Sequence, residues 1–254
     1  MPVASNGGVA CYYERDGDGD PVVFVGDAGY GAWQWGWQHA AVAGPFESLV
    51  TDVRGAGRSD APPGPYSIPD LVSDLTTVLS DAGLHSAAVV GAGLGGMVGL
   101  EAARTTSRVE RLVCLGTAPS GSGVDLESLY APPTDRDALR RTTKAALSTE
   151  FVDDHPEAVR DITEWRAAED ADPAAWEAQA AAVRGYSLDA PYEVTAPTLV
   201  VHGADDAAWP VEDARTLAAD LPRGEFVGVD DAGHLAHVER SKRVNDELAG
   251  FLEE

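Results

Sequence analysis

The chain has 254 residues, of which 44% are hydrophobic and 24% are charged, and these proportions are typical of a globular protein. Acidic residues number 42 against 18 lysines and arginines, so the formal net charge is −24 at pH 7. A field this negative repels nucleic acid and anionic membrane surfaces, and we expect neither as a partner.

Short apolar runs alternate with amphipathic helical patterns along most of the chain. This alternation predicts a mostly parallel sheet with helices on both faces. Residues 9–15 alternate in polarity and predict an edge strand of a hairpin, followed by a turn over 16–20. Further strands are predicted over 22–25, 49–53, 87–90, 112–115, 198–202 and 225–229, and helices over 67–82, 95–106, 211–220 and 240–252.

Strand-like runs disappear between residues 119 and 190, where prolines separate stretches rich in alanine, arginine and acidic residues. Helices near 135–147, 156–168 and 173–184 are predicted there. We interpret 119–190 as a helical cap inserted into a single domain, whose core is formed by 1–118 and 191–254. Aromatic side chains of the cap either line the roof of a pocket or pin the cap helices to the core, and they are Tyr130, Phe151, Trp165, Trp176 and Tyr186.

Four segments in chain order carry the motifs that bear on function. Residues 22–33 run from a strand into a glycine-rich loop that contains Gly26 and Asp27. Residues 52–60 read Asp-Val-Arg-Gly-Ala-Gly-Arg-Ser-Asp, and residues 89–103 lead from a strand through several glycines into a helix. The fourth segment has two parts, with the acid candidate Asp206 in residues 202–210 and the histidine candidate His234 in residues 231–239.

Together these segments resemble the α/β-hydrolase superfamily, in its branch of esterases, lactonases and epoxide-hydrolase-like enzymes with a short helical cap. The resemblance implies a three-layer α/β-hydrolase fold with a catalytic triad. Its acid would be Asp206, with Asp205 adjacent, and its base would be His234. The 52–60 loop has a structural role in the family. Backbone N–H groups near Ala28 and Leu94 would hold developing negative charge.

Two departures from the family pattern lie at the centre of the predicted site. The nucleophile elbow Gly-x-Ser-x-Gly aligns with residues 91–95, and Gly93 stands in place of the serine. Because glycine has no side chain, an acyl-enzyme cannot form at this position. Gly26 and Asp27 stand where the family usually has His-Gly. Asp27 is then either a second carboxylate that orients water or repels an oxyanion, or a solvated aspartate in a turn.

Two other interpretations of these segments are weaker. Residues 91–96 also match the dinucleotide fingerprint G-x-G-x-x-G, but the strand over 112–115 ends in Gly-Thr-Ala without the expected acid. Ser120 and Ser122 offer a displaced nucleophile, although both read more simply as loop residues beside the cap. His237, three residues after His234, is predicted to be a surface or packing residue.

Two functions therefore remain open. In the first, His234 oriented by Asp206 acts as a general base, without a serine, on a small and largely apolar substrate. In the second, the protein is a non-catalytic small-molecule-binding or regulatory pseudo-hydrolase. Neither function requires a cofactor, and no metal-ligand spacing is present.

The composition adds expectations about the environment of the protein. The acidic excess is spread along the chain and fits a solvated shell suited to molar salt, where self-repulsion is screened; a surface for a basic partner is the alternative. Cys11 and Cys114 are expected to be thiols, with Cys114 buried. Without a signal-peptide pattern near the N-terminus or an apolar run of membrane-spanning length, we expect a cytoplasmic protein.

Overall fold

A computed structural model describes residues 2–253. Across these residues the strands form one sheet of eight, in the order β1-β2-β4-β3-β5-β6-β7-β8. β2 is antiparallel to β1 and β4, whereas β3 to β8 run parallel to one another. The predicted mostly parallel sheet is confirmed. The strands are β1 (Val3–Asn6), β2 (Val9–Asp16), β3 (Asp20–Val25), β4 (Phe46–Thr51), β5 (Ala87–Ala92), β6 (Val109–Leu115), β7 (Thr198–Gly203) and β8 (Gly224–Val229).

Ten α-helices accompany the sheet in the described part of the chain. Short 3₁₀ helices lie at Ala32–Trp35 and Pro191–Glu193. No helix between residues 2 and 253 combines the length and apolar character needed to cross a membrane. The α-helices are α1 (Gly36–Val42), α2 (Ile68–Asp81), α3 (Leu94–Thr105), α4 (Arg136–Ala145), α5 (Thr149–Asp154), α6 (Pro156–Glu169), α7 (Pro173–Arg184), α8 (Val211–Asp220), α9 (Ala236–Glu239) and α10 (Ser241–Glu253).

The core is divided by the sheet into two apolar layers. Side chains alternate along a strand, so Val23 joins the layer that includes residues of α2, α3 and α8, while Phe24 joins the layer that includes residues of α1 and α10. The central strands β3, β5, β6 and β7 each contain a continuous apolar run because parallel strands are covered on both faces. This arrangement gives the three layers of an α/β-hydrolase fold and brings the carboxyl ends of the strands to one edge.

The structure differs from the sequence prediction at the start of the chain. β1 was not predicted, because its sequence Val-Ala-Ser-Asn carries little apolar character. It pairs along the outer side of β2, so the prediction that residues 9–15 form an edge strand is wrong. α1 was also missed, since its seven residues begin with glycine and are too few to show a helical period.

Helices α4 to α7 follow β6 and precede β7, inside the range predicted for the cap. Three of them begin at capping side chains that accept backbone N–H bonds, namely Asp135, Ser148 and Asp172. Arg166 of α6 holds the group together from a fully buried position, since its guanidinium pairs with Asp170 at 2.8 Å and donates to the Leu129 carbonyl at 2.8 Å. The boundaries 119 and 190 remain predictions.

Candidate active site

The turn between β5 and α3 has the geometry of a tight elbow at Gly93. Its backbone lies in the left-handed region with φ 46° and ψ −109°, which strongly favours glycine. The flanking glycines leave no space for side chains, because a Cβ on Gly91 would collide with the backbone of Gly95, and one on Gly95 with the Val25 carbonyl. The strand–turn–helix arrangement expected of the elbow is therefore present, with glycine at its apex.

Asp27, in the loop that follows β3, extends its carboxylate into this elbow. Its Oδ1 accepts hydrogen bonds from the backbone N–H groups of Ala28 and Leu94, each at 2.7 Å. Leu94 is the first residue of α3, so the carboxylate also lies at the positive end of the helix dipole. The two N–H groups that the sequence assigned to an oxyanion are thus occupied by a side chain of the protein itself.

His234 lies between two carboxylates. Its Nε2 is 2.9 Å from Asp27 Oδ2, and its Nδ1 is 2.8 Å from Asp206 Oδ2. The other oxygen of Asp206 accepts the backbone N–H groups of Ala208 and Trp209 at 2.9 and 3.0 Å. The predicted hydrogen bond between Asp206 and His234 is present, and Asp27 extends it into an Asp206–His234–Asp27 triad that the sequence did not predict.

The charges of this triad depend on its burial and its internal contacts. Burial alone lowers the pKa of His234, but the two carboxylates outweigh it and raise the pKa to about 10. Burial raises the pKa of Asp206, yet its contacts with His234 and His202 together outweigh burial and hold that pKa well below its ordinary value. At neutral pH the triad therefore contains an imidazolium between carboxylates.

Solvent hardly reaches the triad. The side chains of Asp27 and His234 are each 2% exposed, and that of Asp206 is fully buried. Above the Asp27 loop, Tyr130 stacks on Trp176 with ring centroids 4.3 Å apart, and a Cβ on Gly29 would lie 2.8 Å from that indole. These cap aromatics pack on the loop and cover it, which is the pinning role considered for them.

The loop that carries Asp27 is held by two buried glutamines that the sequence did not indicate. Gln34 accepts the Asp27 N–H at 3.3 Å and packs where a Cβ on Gly26 would lie, which explains the glycine there. Gln179, from the cap helix α7, accepts the Gly29 N–H at 2.6 Å and donates to the Arg54 carbonyl at 2.7 Å. A glutamine in a helix gives no signal of such a role until the fold brings it to the loop.

The remaining sequence candidates lie apart from the triad or have packing roles. The Ser120 hydroxyl accepts the Ser122 N–H at 3.1 Å, and the hydrogen bonds of the His234 ring go to Asp206 and Asp27. Asp205 is exposed. His237 packs against Trp35 at 5.2 Å between ring centroids, and burial lowers its pKa to about 3, so it is a packing residue.

The dinucleotide interpretation loses its main physical basis in the structure. The N-terminus of α3, where a pyrophosphate would bind, already holds the Asp27 carboxylate through the Leu94 N–H. The third glycine of the fingerprint, Gly96, is close to Thr117, whose side chain would collide with a Cβ there. The glycines of this segment therefore serve close packing between strand and helix.

Comparison with known proteins agrees with this arrangement of strands and loops. A profile of the alpha/beta hydrolase family matches residues 22–247. The chain belongs to the alpha/beta hydrolase family.

Within the family, the chain resembles proteins that carry hydrolase and lactonase names. It is 38% identical over 103 residues to a protein of Azorhizobium caulinodans named "Putative carbamate hydrolase RutD", a match that spans 41% of this chain and 39% of that protein. A protein of the same name from Caulobacter segnis is 30% identical over 237 residues, 86% of each chain. The crystal structure of the enol-lactonase from Burkholderia xenovorans LB400 covers all of both chains with a TM-score of 0.90 and 25% identity.

Proposed function

We propose that this protein is a non-hydrolytic alpha/beta hydrolase-fold protein that acts by binding, with its ancestral catalytic centre closed from within by Asp27. One observation carries the proposal. The Asp27 carboxylate simultaneously fills the two N–H groups of Ala28 and Leu94 and contacts His234 Nε2. A substrate that reacts by acyl transfer needs all of these groups.

The first supporting step concerns the nucleophile and the oxyanion. Gly93 offers no atom that can attack a carbonyl carbon, so the acyl-enzyme route lacks its first reactant. Stabilisation of a tetrahedral oxyanion needs free N–H donors, because these donors act only when they point at the developing charge. Here the donors are taken by the side chain of Asp27, which leaves none for an oxyanion.

The second step concerns the proton. General-base catalysis needs a neutral imidazole with a free nitrogen within reach of the substrate. His234 has its pKa raised to about 10, because the two carboxylates outweigh the effect of its burial. Both of its ring nitrogens are also already hydrogen bonded. An imidazolium in this state does not accept a proton near neutral pH.

The triad has a structural use that accounts for an acid and a histidine in a site without a nucleophile. It connects the loops after β3, β7 and β8, which are far apart in sequence. Four backbone N–H groups stabilise the two carboxylates, namely those of Ala28, Leu94, Ala208 and Trp209. A buried charged network that is hydrogen bonded in this way fixes the relative positions of its loops.

The competing function is serine-independent general-base chemistry by His234. It requires Asp27 to leave the site, because only then does His234 lose one of its two carboxylate partners and gain access to a substrate. The two functions therefore differ in what Asp27→Asn does. Under the binding function this change creates no activity, and under the general-base function it raises a rate that already exists.

Hydrolysis assays on matched variants test the proposal. Short p-nitrophenyl esters are used together with a lactone and a carbamate, the substrate classes named for the related proteins. We expect no turnover above the uncatalysed rate for wild type, Gly93→Ser or Asp27→Asn. The double variant Asp27→Gly/Gly93→Ser frees the two N–H groups and supplies a hydroxyl, and we expect it to hydrolyse the ester.

Two further measurements complete the test. His234→Ala added to the double variant should abolish the gained activity, and circular dichroism of every variant separates loss of activity from loss of fold. Turnover by wild type that disappears in His234→Ala would overturn the proposal in favour of general-base catalysis. A covalent mass increase on wild-type Asp27 after incubation with an alkyl halide would also overturn it, since that carboxylate would then be a working nucleophile.

A further inference from the structure

A groove that is separate from the triad lies between the Ala32–Trp35 segment, α1 and the end of α6. It consists of two adjoining cavities of about 420 and 360 Å³ that share Trp33, Gly36 and Glu169. The inner cavity also reaches Asp52, and the outer cavity reaches Trp165. We call these two cavities together the indole groove. Volumes of this size fit small organic ligands.

The outer cavity has an apolar and aromatic lining. Trp37 and Trp165 meet edge to face, with ring centroids 5.9 Å apart. Trp165 is 41% exposed, which is unusual for so large an apolar side chain on a surface that is otherwise strongly acidic. Tryptophan is enriched at binding interfaces, where one side of the indole is apolar and its N–H remains available.

Trp33 connects the two cavities and is held firmly in place. Its backbone N–H donates to Glu169 Oε2 at 2.9 Å, and its indole N–H donates to the buried carboxylate of Asp170 at 2.8 Å. Glu169 therefore lies where the inner and outer cavities meet. Its burial raises the pKa of its carboxyl group, as expected for an acid that water does not fully solvate.

Two buried residues of the inner cavity's lining carry polar atoms that lack partners. Asp52 is 4% exposed and its Oδ2 accepts two hydrogen bonds from Arg58, but its buried Oδ1 has no partner among the described residues. The indole N–H of Trp35, from a side chain that is 1% exposed, has none either. An unpaired buried carboxylate oxygen is costly, and a cation bound close to Asp52 would lower that cost electrostatically.

The charge of the lining selects the sign of the ligand. The lining carries three carboxylates, of Glu14, Asp52 and Glu169, against the guanidinium of Arg58 and the imidazole of His39. That guanidinium is already engaged, because it pairs with Glu14 at 2.7 Å and stacks over the Tyr12 ring. The excess negative charge and the indole faces both favour a cation.

We propose that the indole groove binds an amphiphilic organic amine, with its ammonium group near Asp52 and Glu169 and its apolar part against Trp37 and Trp165. The lining of the groove does not include Asp27, Gly93 or His234. The inference therefore concerns a site other than the closed catalytic centre, and it does not depend on the proposal made for that centre.

Binding of three probes of nearly equal shape tests the inference. Phenylethanolamine is cationic, phenylethylene glycol is neutral and mandelate is anionic, while all three carry the same phenyl ring and hydroxyl. Isothermal titration and tryptophan fluorescence are measured in about 1 M KCl, where the Debye length is ~3 Å and diffuse attraction to the acidic surface is screened. We expect saturable binding of one amine per chain, and at least ten-fold weaker binding of the diol and mandelate.

Variants locate the site. Trp165→Ala and Glu169→Gln should each weaken binding of the amine about ten-fold. Tyr192→Ala removes another exposed aromatic side chain, 69% exposed and outside the groove lining, and should leave binding unchanged. The double variant Asp27→Gly/Gly93→Ser should bind the amine as wild type does, which separates this site from the catalytic centre.

Three outcomes would overturn the inference: equal binding of the three probes, no saturable binding of the amine, or amine binding that survives both Trp165→Ala and Glu169→Gln. None of these outcomes would affect the conclusion on hydrolysis. Conversely, ester hydrolysis by the wild type would leave the binding result intact.

Discussion

The carboxylate of Asp27 occupies the space that a side chain on residue 93 would need. A Cβ built on Gly93 would collide with Asp27 Oδ1, and that oxygen is fixed by the N–H groups of Ala28 and Leu94. Glycine at 93 and aspartate at 27 are therefore mutually dependent. These two residues, far apart in the sequence, therefore form one structural unit.

This dependence predicts that Gly93→Ser alone destabilises the protein. Overpacking of a filled site costs about 1–3 kcal/mol. We expect urea unfolding to show such a loss when Gly93→Ser is introduced into wild type. The loss should be smaller when the same change is introduced into the Asp27→Gly variant. The coupling between the two positions in this double-mutant cycle should exceed ~1 kcal/mol.

The positive φ of Gly93 also strains a serine, so a control separates strain from collision. Gly7 has φ 58°, and a Cβ on this residue would have no atom within 4 Å, so Gly7→Ser reports the cost of a serine at positive φ without a collision. Asp27→Gly should not change the cost of Gly7→Ser. Additive effects of Asp27→Gly and Gly93→Ser would contradict the steric account.

The charged triad predicts a specific pH dependence of stability. His234 titrates near 6.5 in the unfolded chain and at about 10 in the folded one. Its contribution is fully present below about pH 6.5 and is lost as the pH rises through about 10, at no more than ~1.4 kcal/mol per pH unit. The free energy of unfolding should therefore fall from pH 6.5 to 8.5, a window below the titration of the buried thiols Cys11 and Cys114.

Asp27→Asn tests the cause of this pH dependence. The variant keeps the shape of the side chain but removes one of the two carboxylates beside His234, so the pKa of the imidazole should fall. The decline in stability over the same pH window should become shallower, and imidazole NMR signals should titrate at lower pH. An unchanged slope would mean that Asp27 does not set the charge of His234.

The buried Arg166–Asp170 pair predicts a large effect in the cap. Arg166→Ala leaves the carboxylate of Asp170 buried without its guanidinium, and breaking such a pair costs about 3–5 kcal/mol. Arg136→Ala is a matched control, because its pair with Glu164 at 2.7 Å is exposed on both sides and such pairs contribute at most ~1 kcal/mol. Equal losses in chemical unfolding of the two variants would contradict this role of Arg166.

The net charge of −24 predicts a salt dependence. Salt screens repulsion between surface carboxylates, so the thermal unfolding midpoint should rise as KCl is increased from about 0.1 M to 1 M, where the Debye length falls from ~10 to ~3 Å. Sucrose at matched osmolarity serves as the control for solute effects without charge. A midpoint that does not respond to KCl would refute the salt-adapted interpretation of the composition.

Much of the fold was predictable because its signals are local. Apolar runs such as Val22–Val25 in β3 and the capping residues Ser67 and Asp70 at the start of α2 specify their elements over a few positions. β1 was not predicted because its four residues form a strand only by pairing with β2. The contact between Asp206 and His234 is predicted by motif order, whereas the motifs are compatible with two different roles for Asp27.

The sequence by itself determined the family, the order of the strands along the chain, the glycine at residue 93 and the candidate acid and histidine, since short motifs carry each of these signals. Only the tertiary structure decided that the centre is filled. The side chain of Asp27 is 207 positions from His234 and 67 from Leu94 along the chain. Whether a turn aspartate is solvated or buried depends on which N–H groups and charges surround it, and the packing of three distant loops decides that.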